Sequence, residues 1–148
     1  MNNIDPLQSI FYCIDKTIKV YKKYAQNQIS KAGIDITLDQ TLALILINND
    51  LKFSQSEIAK LLFKDYASVT RIIEILVRNS FVSRSTDNID RRKTSLELTL
   101  KGKTTIEKLE PIIFQNRKNA LNSIPEIELI NLKLTLNRIV INCKNNQK

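Results

Sequence analysis

Residues 54–102 read SQSEIAKLLFKDYASVTRIIEILVRNSFVSRSTDNIDRRKTSLELTLKG, and the spacing of the apolar residues changes twice within this stretch. The first part repeats at steps of three and four, as one face of a helix does. The middle alternates between residues of different polarity, which is typical of β-strands. The helical repeat then returns. This order of patterns decides the fold class.

The first part of the stretch predicts two short helices. Ser54 and Glu57 have the spacing of a capping box at the start of a helix. A turn at residues 64–65 separates this helix from a second one, and two short helices joined by a tight turn form a helix-turn-helix. The residues expected on the buried sides are Ile58, Leu61, Leu62, Val69, Ile72, Ile73, Leu76 and Val77.

The middle part predicts a β-hairpin. Residues 82–86 and 94–98 alternate with a period of two, and the polar stretch TDNIDRR lies between the two runs. Thr99 is expected to cap the helix that follows. A helix-turn-helix followed by a hairpin is a winged helix. The fold class is therefore mostly α (α+β), a winged helix-turn-helix with further helices at both ends.

The two ends of the chain are predicted to be helical. Asp5 and Pro6 suit the start of a helix that ends near Gly33, and Thr37 suits the start of the next one. After residue 99 the helical pattern resumes, and Pro111 is expected to kink or split that helix. A last helix is expected after Pro125.

The first and last helices carry apolar residues on two sides, and such a helix needs two partners. We expect a homodimer built from these helices; the alternative is a larger core within one chain. Residues 1–148 would form one unit, with dimerisation helices at 1–35 and 104–148 and a winged helix-turn-helix at 36–103. The residues expected at the dimer interface are Leu7, Ile10, Phe11, Ile14, Leu129, Leu132, Leu136, Ile139 and Val140.

Composition narrows the class of function. The chain has 23 Lys and Arg against 15 Asp and Glu, a net charge of +8, which favours contact with phosphate backbones or anionic membranes. Abundant Lys, Asn and Ile throughout would also fit a protein from an AT-rich genome. No apolar run approaches the roughly 20 residues that span a bilayer. The N-terminus has no secretory signal pattern, so we expect a cytoplasmic protein.

Catalysis is not expected. The 148 residues include no histidine, which removes the commonest general base and metal ligand. Cys13 and Cys143 lie at opposite ends of the chain and outside any metal-binding spacing. The glycine-rich loops that bind phosphate are missing from the sequence as well. We therefore expect no enzyme, no metal and no cofactor.

The segment DRRKTSLELTLKG has the spacing D-x-R-x5-L-T-x-x-G, with Asp90, Arg92, Leu98, Thr99 and Gly102 at the defined positions. It resembles the wing signature of the MarR family of transcription regulators. Residues 65–84, DYASVTRIIEILVRNSFVSR, are similar to the recognition helix of that family and its exit. The resemblance covers nearly the whole chain.

One position departs from the family pattern. Ser80 stands at the end of the recognition helix, where the family usually has glycine. A left-handed conformation there costs a residue other than glycine roughly 1 kcal/mol. We therefore expect that the exit of the helix, and with it the orientation of the wing, could differ from the family.

The resemblance implies a dimeric, sequence-specific regulator, usually a repressor, that binds a pseudo-palindromic operator in double-stranded DNA. The recognition helix would enter the major groove, where Arg71 could donate to guanine or phosphate, and Ser68 and Thr70 are short donors. The residues predicted to contact DNA are Ser54, Gln55, Ser56, Tyr66, Ala67, Ser68, Thr70, Arg71, Arg84, Asp90, Arg91, Arg92 and Lys93.

The wing residues have separate predicted roles. Residues two apart on a strand share a side, so Asp90 can hold the guanidinium of Arg92 by a charge-assisted pair. An arginine held in this way suits a narrow minor groove. Arg91 and Lys93 would then lie beside it at phosphates. An exposed hairpin with an ion pair of little energetic value is the plainer alternative.

The sequence does not identify the effector that would change DNA binding. The resemblance implies either a small aromatic or apolar ligand, held between the dimer helices and the DNA-binding region, or a hydroperoxide sensed by Cys13. A cysteine on an apolar stripe is more often a small packed side chain. Two readings of other classes remain, a basic winged-helix module that binds protein and an amphipathic protein that binds anionic membranes.

Overall fold

The computed structural model describes residues 5–49, 51–86 and 94–146. They form mostly helices with one two-stranded sheet, so the predicted fold class is confirmed. A short 3-10 turn at Pro6–Gln8 comes first. The elements are then α1 (Ile10–Lys31), α2 (Leu38–Ile47), α3 (Gln55–Leu61), α4 (Tyr66–Arg78), β1 (Val82–Thr86), β2 (Thr94–Leu98), α5 (Leu100–Ala120) and α6 (Glu126–Asn145). The chain packs as two units, residues 1–116 and 117–148.

Polar side chains set the starting points of the helices. Ser9 caps α1. The helix ends shortly before Gly33, which has a φ of +72°. Thr37 and Gln40 form a complete capping box at α2. The predicted box of Ser54 and Glu57 is present at α3. Each box satisfies backbone N–H groups that the first helical turn leaves unpaired, so the short helices begin at defined residues.

The first unit contains the core of the winged helix. The buried apolar residues of this core are Ile29, Ile36, Ala43, Leu44, Ile47, Ile58, Ala59, Val69, Ile73, Leu76, Phe81, Val82, Ile106 and Leu109. The prediction that Leu61 is buried is wrong, because Leu61 is 46% exposed and Ala59 faces the core instead. Residues two apart on a helix lie roughly 200° around it, so burial of Ala59 turns Leu61 outward.

The hairpin has the predicted alternation. Strands β1 and β2 pair antiparallel with Val82 opposite Leu98 and Arg84 opposite Leu96. Val82 is buried and Leu98 is half-buried, whereas Ser83 and its partner Glu97 are exposed. The hairpin therefore rests on the helices through the side that carries Val82 and Leu98.

The hairpin is joined to the end of α4 through Thr99. Its hydroxyl donates to the carbonyl oxygen of Ser80 at 2.7 Å and accepts from the backbone N–H of Gly102 at 3.1 Å. Thr99 therefore caps α5, as predicted. Ser80 has a φ of +60°, so the left-handed residue at the exit of α4 is present although it is a serine. We expected that the chain could leave α4 differently because residue 80 is not glycine, but Ser80 adopts the left-handed conformation itself.

Helix α5 continues through Pro111. Of the two predicted effects of this proline, a kink or a split, the split is therefore wrong. In the second unit, the N-cap position of α6 is Pro125. The helix buries none of its residues within this unit, and Ile127, Leu134 and Ile141 are each more than half exposed. Within the described ranges, every helix is too short or too polar to cross a bilayer.

Candidate nucleic-acid interface

A groove of about 920 Å³ lies within the first unit, where the start of α3, the start of α4 and the hairpin meet. Six of the residues predicted to contact DNA line it, namely Ser54, Gln55, Ser56, Tyr66, Thr70 and Arg84. They come from three elements that lie far apart in the sequence. The fold therefore brings this part of the predicted site together.

The groove residues are joined by hydrogen bonds. The Gln55 side-chain Nε2 donates to the Thr70 hydroxyl at 2.5 Å. That hydroxyl donates in turn to the carbonyl oxygen of Tyr66 at 2.9 Å. One guanidinium nitrogen of Arg84 donates to the Gln55 Oε1 at 3.5 Å, which is a long hydrogen bond. One glutamine thus links α3 with the recognition helix α4 and with strand β1.

The start of α3 is organised around Glu57. Its carboxylate accepts from the backbone N–H and the hydroxyl of Ser54, each at 2.7 Å. The hydroxyl of Ser54, its backbone N–H and the nearby charge of Lys60 lower the pKa of Glu57 below the usual 4.5. The capping box therefore keeps this carboxylate charged in the first turn of α3.

The start of α4 has a matching arrangement. Asp65, the N-cap residue, accepts from the backbone N–H of Ser68 at 2.7 Å and from the Ser68 hydroxyl at 2.6 Å. These two bonds, with the hydroxyl as the larger cause, lower the pKa of Asp65 below its usual 3.8. A charged carboxylate thus stabilises the first turn of α4, where the free N–H groups carry partial positive charge.

The two predicted hydroxyl donors, Ser68 and Thr70, have their protons engaged within the chain, and so does the neighbouring Ser54. A hydroxyl carries a single proton. Ser54 donates it to Glu57, Ser68 to Asp65 and Thr70 to the Tyr66 carbonyl. In this conformation these three residues offer acceptor lone pairs rather than donors. Their assignment to the DNA interface stays a prediction, but the role as donors is not available without rearrangement.

The remaining predicted contacts are exposed. Ser56, Tyr66, Ala67, Arg71 and Arg84 all lie on the surface of the first unit. Arg71 is a strong candidate donor, since the described part of the chain gives it no ion-pair partner. The predicted wing residues Asp90, Arg91, Arg92 and Lys93 lie outside the described residues.

Sequence reasoning missed two cations. Lys52 and Lys103 line the same groove as Gln55, although one precedes α3 and the other lies in α5. Their separation of 51 positions in the chain explains this, because no local pattern relates them. They increase the positive charge beside Arg84.

Five of the nine residues predicted for dimerisation are exposed and the other four are half-buried. Leu7, Ile10 and Phe11 are about 60% exposed at the beginning of the chain, and Ile14 is half-buried. On α6, Leu132 and Val140 are exposed. Half-buried residues of α6 are Leu129, Leu136 and Ile139.

The two cysteines are exposed and free, Cys13 on α1 and Cys143 on α6. Within residues 5–49, 51–86 and 94–146, the side chains of His, Cys, Asp and Glu form no cluster of three or more that could hold a metal ion.

The fold and the groove define a winged helix-turn-helix protein, with α4 in the position of the recognition helix. The MarR family model matches residues 36–94, which include α2, α3, α4 and β1. Over these residues the chain is similar to the MarR family.

Two relatives are also similar to this chain in sequence. The chain is 29% identical to the HTH-type transcriptional regulator BilQ of Clostridium symbiosum over 105 residues, which cover 71% of this chain and 72% of BilQ. It is 37% identical to the HTH-type transcriptional repressor YetL of Bacillus subtilis over 70 residues, which cover 47% of this chain and 42% of YetL.

The structural similarity extends over most of the chain. A mutant of MarR from E. coli in complex with operator DNA has a TM-score of 0.80 at 23% identity, covering 93% of this chain and 96% of that protein. Bordetella bronchiseptica BpsR, whose DNA binding is regulated by 6-hydroxynicotinic acid, has a TM-score of 0.79 at 20% identity, with 90% and 94% covered. At these identities the two structures support the fold.

Proposed function

We propose that this chain is the protomer of a homodimeric repressor, which binds a pseudo-palindromic operator in double-stranded DNA and responds to a small aromatic or apolar ligand. The observation that carries the proposal is the groove, in which Gln55, Thr70 and Arg84 from three elements line one surface. Recognition of DNA requires side chains from the second helix and the wing to act on one duplex.

The charges near the groove support binding to DNA. Arg71 and Arg84 are exposed on α4 and β1, and Lys52 and Lys103 line the groove itself. Cations at these positions can neutralise phosphates, which provides most of the affinity for DNA of any sequence. Arginine can also donate two hydrogen bonds to guanine and so contribute to sequence specificity.

The wing completes the proposed interface. The sequence places Asp90 two residues before Arg92, so that the carboxylate can hold the guanidinium at a minor groove. Arg91 and Lys93 would contact the phosphates on either side. This part of the proposal rests on the sequence alone.

Exposed apolar side chains support the homodimer. The helix α6 is 20 residues long and buries none of them within its own unit, while Ile127, Leu132, Leu134 and Ile141 are exposed. Ile10 and Phe11 on α1 are exposed as well. Such apolar stretches usually mark protein interfaces. A second copy of the chain is the partner that the proposed operator symmetry requires, because a two-fold protein matches a pseudo-palindrome.

Two relatives support the finer parts of the proposal. YetL is described as a repressor, and DNA binding by BpsR is regulated by 6-hydroxynicotinic acid, a small aromatic anion. A ligand of this kind would act on the present chain by preferring one of two dimer conformations that bind DNA differently.

The exposure of Cys13 favours a second candidate, a regulator that responds to hydroperoxide through this thiol. Treatment of the wild type with hydrogen peroxide would then weaken DNA binding, and Cys13→Ser would remove the response. A Cys143→Ser variant is the control. Equal DNA affinity of the wild type before and after treatment would exclude this candidate.

Selection of genomic fragments tests the main proposal. The full-length protein is incubated with sheared genomic DNA from its own organism, and the bound fragments are sequenced. We expect enrichment of a pseudo-palindrome whose half-sites lie about one helical turn apart. Uniform recovery of all fragments would contradict the proposal. Binding to anionic liposomes without preference among DNA sequences would favour the membrane-binding class instead.

A further inference from the structure

Gln55 is the first residue of α3, and its side chain contacts both elements that the proposed function places on DNA. Its amide nitrogen donates to Thr70 in the recognition helix, fifteen residues further along the chain. Its amide oxygen accepts from Arg84 in strand β1, 29 residues further along. No other described side chain hydrogen-bonds to the side chains of both α4 and β1.

The orientation of the Gln55 amide is fixed by its partners. The Thr70 hydroxyl has a single proton, which it donates to the Tyr66 carbonyl, so toward Gln55 it can only accept. The amide nitrogen of Gln55 must therefore face Thr70. Arg84 can only donate, and the amide oxygen must face it. A flipped amide would place its oxygen against the accepting oxygen of Thr70 and its nitrogen against the donating guanidinium of Arg84.

These bonds restrict what Thr70 and Arg84 can offer to a duplex. Thr70 is β-branched, and the two bonds to its hydroxyl hold its χ1 angle in one position. Its methyl group and one acceptor lone pair are left for DNA. Arg84 uses one of its five N–H donors on Gln55 and retains the others for phosphates or bases. Removal of Gln55 would leave Thr70 with only its bond to Tyr66 and would end the contact with Arg84, without removing either side chain.

We propose that Gln55 is a positioning residue that sets the sequence specificity of DNA binding, because it holds Thr70 and Arg84 in one hydrogen-bonded arrangement. The inference rests on the proposed function. It differs from a direct contact between Gln55 and a base, since the effect of Gln55 is transmitted through Thr70 and Arg84. It also differs from a role in phosphate binding, since glutamine carries no charge.

A double-mutant cycle on two duplexes tests the inference. The wild type first selects a duplex from a random-sequence library, and a scrambled duplex of the same composition serves as the reference. Affinities for both are then measured with the wild type, Gln55→Ala, Thr70→Val and the double variant. Gln28→Ala on α1 is the matched control, and melting temperatures show whether each variant is folded.

Coupled effects are expected. Gln55→Ala and Thr70→Val should each weaken binding to the selected duplex roughly fivefold to tenfold, and the double variant should lose little more than either one. Binding to the scrambled duplex should change less than about twofold, because phosphate contacts are kept. Gln28→Ala should bind both duplexes like the wild type.

Three results would overturn the inference while leaving the proposed function intact. They are losses that multiply in the double variant, a loss of equal size on both duplexes, and a Gln55→Ala protein that discriminates like the wild type. A wild-type protein that selects no duplex would contradict the proposed function itself, and the two failures are thereby distinguished.

Discussion

A Cβ atom on Gly102 would lie 2.1 Å from the carbonyl oxygen of Phe81, so the first turn of α5 can approach the end of α4 only because residue 102 has no side chain. The same Phe81 carbonyl accepts from the backbone N–H of Thr99 at 3.1 Å, and it lies 3.2 Å from the Thr99 hydroxyl, whose shorter bond goes to Ser80. The threonine and glycine of the L-T-x-x-G segment, Thr99 and Gly102, therefore both contact the backbone where α4 leads into the hairpin. These contacts fix the hairpin and α5 to the exit of the recognition helix.

Gly102→Ala should destabilise the protein by about 3 kcal/mol, the upper end of the usual effect of overpacking, because backbone atoms of Phe81 must move. Chemical denaturation measures the loss. Gly33→Ala is the control, since Gly33 has a φ of +72° but no atom within 4 Å of an added Cβ. The control should lose only about 1 kcal/mol, from backbone conformation. Equal losses at the two positions would show that the close approach at Gly102 is not the cause.

Ser80→Gly should stabilise the protein by up to roughly 1 kcal/mol, because Ser80 adopts a φ of +60° that glycine tolerates without strain. Ser123, at a φ of +62°, offers a second test of the same effect in the other unit. Asn79→Gly, at a φ of −88°, should give no such gain. The free energy of unfolding of the three variants decides the matter, and a loss of stability at Ser80 would contradict the argument.

Lowering the pH should destabilise the winged helix through Glu57 and Asp65. Both carboxyl groups have a pKa below the usual 4.5 and 3.8, because Ser54 and Ser68 donate to their charged forms. The unfolded chain then binds protons at a higher pH than the folded chain does. The stabilisation is complete above pH 4.5 and is lost as the pH falls through the lowered values.

Asp65→Asn should reduce the dependence of stability on pH in this acidic range, because an amide does not titrate. Asp15→Asn is the control, since Asp15 forms an exposed ion pair with Lys19, and such pairs contribute little. Thermal melts from pH 3 to pH 6 provide the comparison. If Asp65→Asn keeps the full pH dependence of the wild type, the cap at α4 is not its source.

Short-range patterns explain how much of the fold could be predicted from the sequence. The two residues of the capping box, Ser54 and Glu57, lie three positions apart, and the strand alternation depends only on a period of two, so both predictions are confirmed. The burial of Ala59 in place of Leu61 was missed, because steps of three and four define a helical face only to within one residue.

The candidate site was predictable only in part, because some of its contacts join residues that are distant in the sequence. The resemblance to the MarR family identified Thr70 and Arg84 as residues of one surface. The bond between Gln55 and Thr70 joins positions fifteen apart, and it depends on how α3 and α4 pack. The direction in which a hydroxyl donates is also set by its neighbours in space. The sequence pattern predicted the pairing of Ser54 with Glu57, but not that the Ser68 hydroxyl donates to Asp65.

Leu132→Glu should convert the proposed homodimer to a monomer. Leu132 is 53% exposed on α6, and a buried charge without a partner at an interface would be strongly unfavourable. Light scattering at micromolar concentration should give twice the chain mass of 17.1 kDa for the wild type and the chain mass for the variant. Phe63→Glu, at a residue that is 96% exposed in the turn after α3, is the control. A monomeric wild type would exclude the dimer.

Arg92→Ala should weaken operator binding by about 1–3 kcal/mol while leaving the dimer and the melting temperature nearly unchanged. The reason is the sequence spacing, which lets Asp90 hold the guanidinium for insertion into a narrow minor groove. Asp90→Ala should give a smaller loss in the same direction, because Arg92 keeps its charge but loses the group that positions it. Arg78→Ala, at an exposed arginine in the last turn of α4, is the control for lost positive charge. Fluorescence anisotropy with the selected operator measures all three variants, and equal affinity of Arg92→Ala and the wild type would refute the role of the wing.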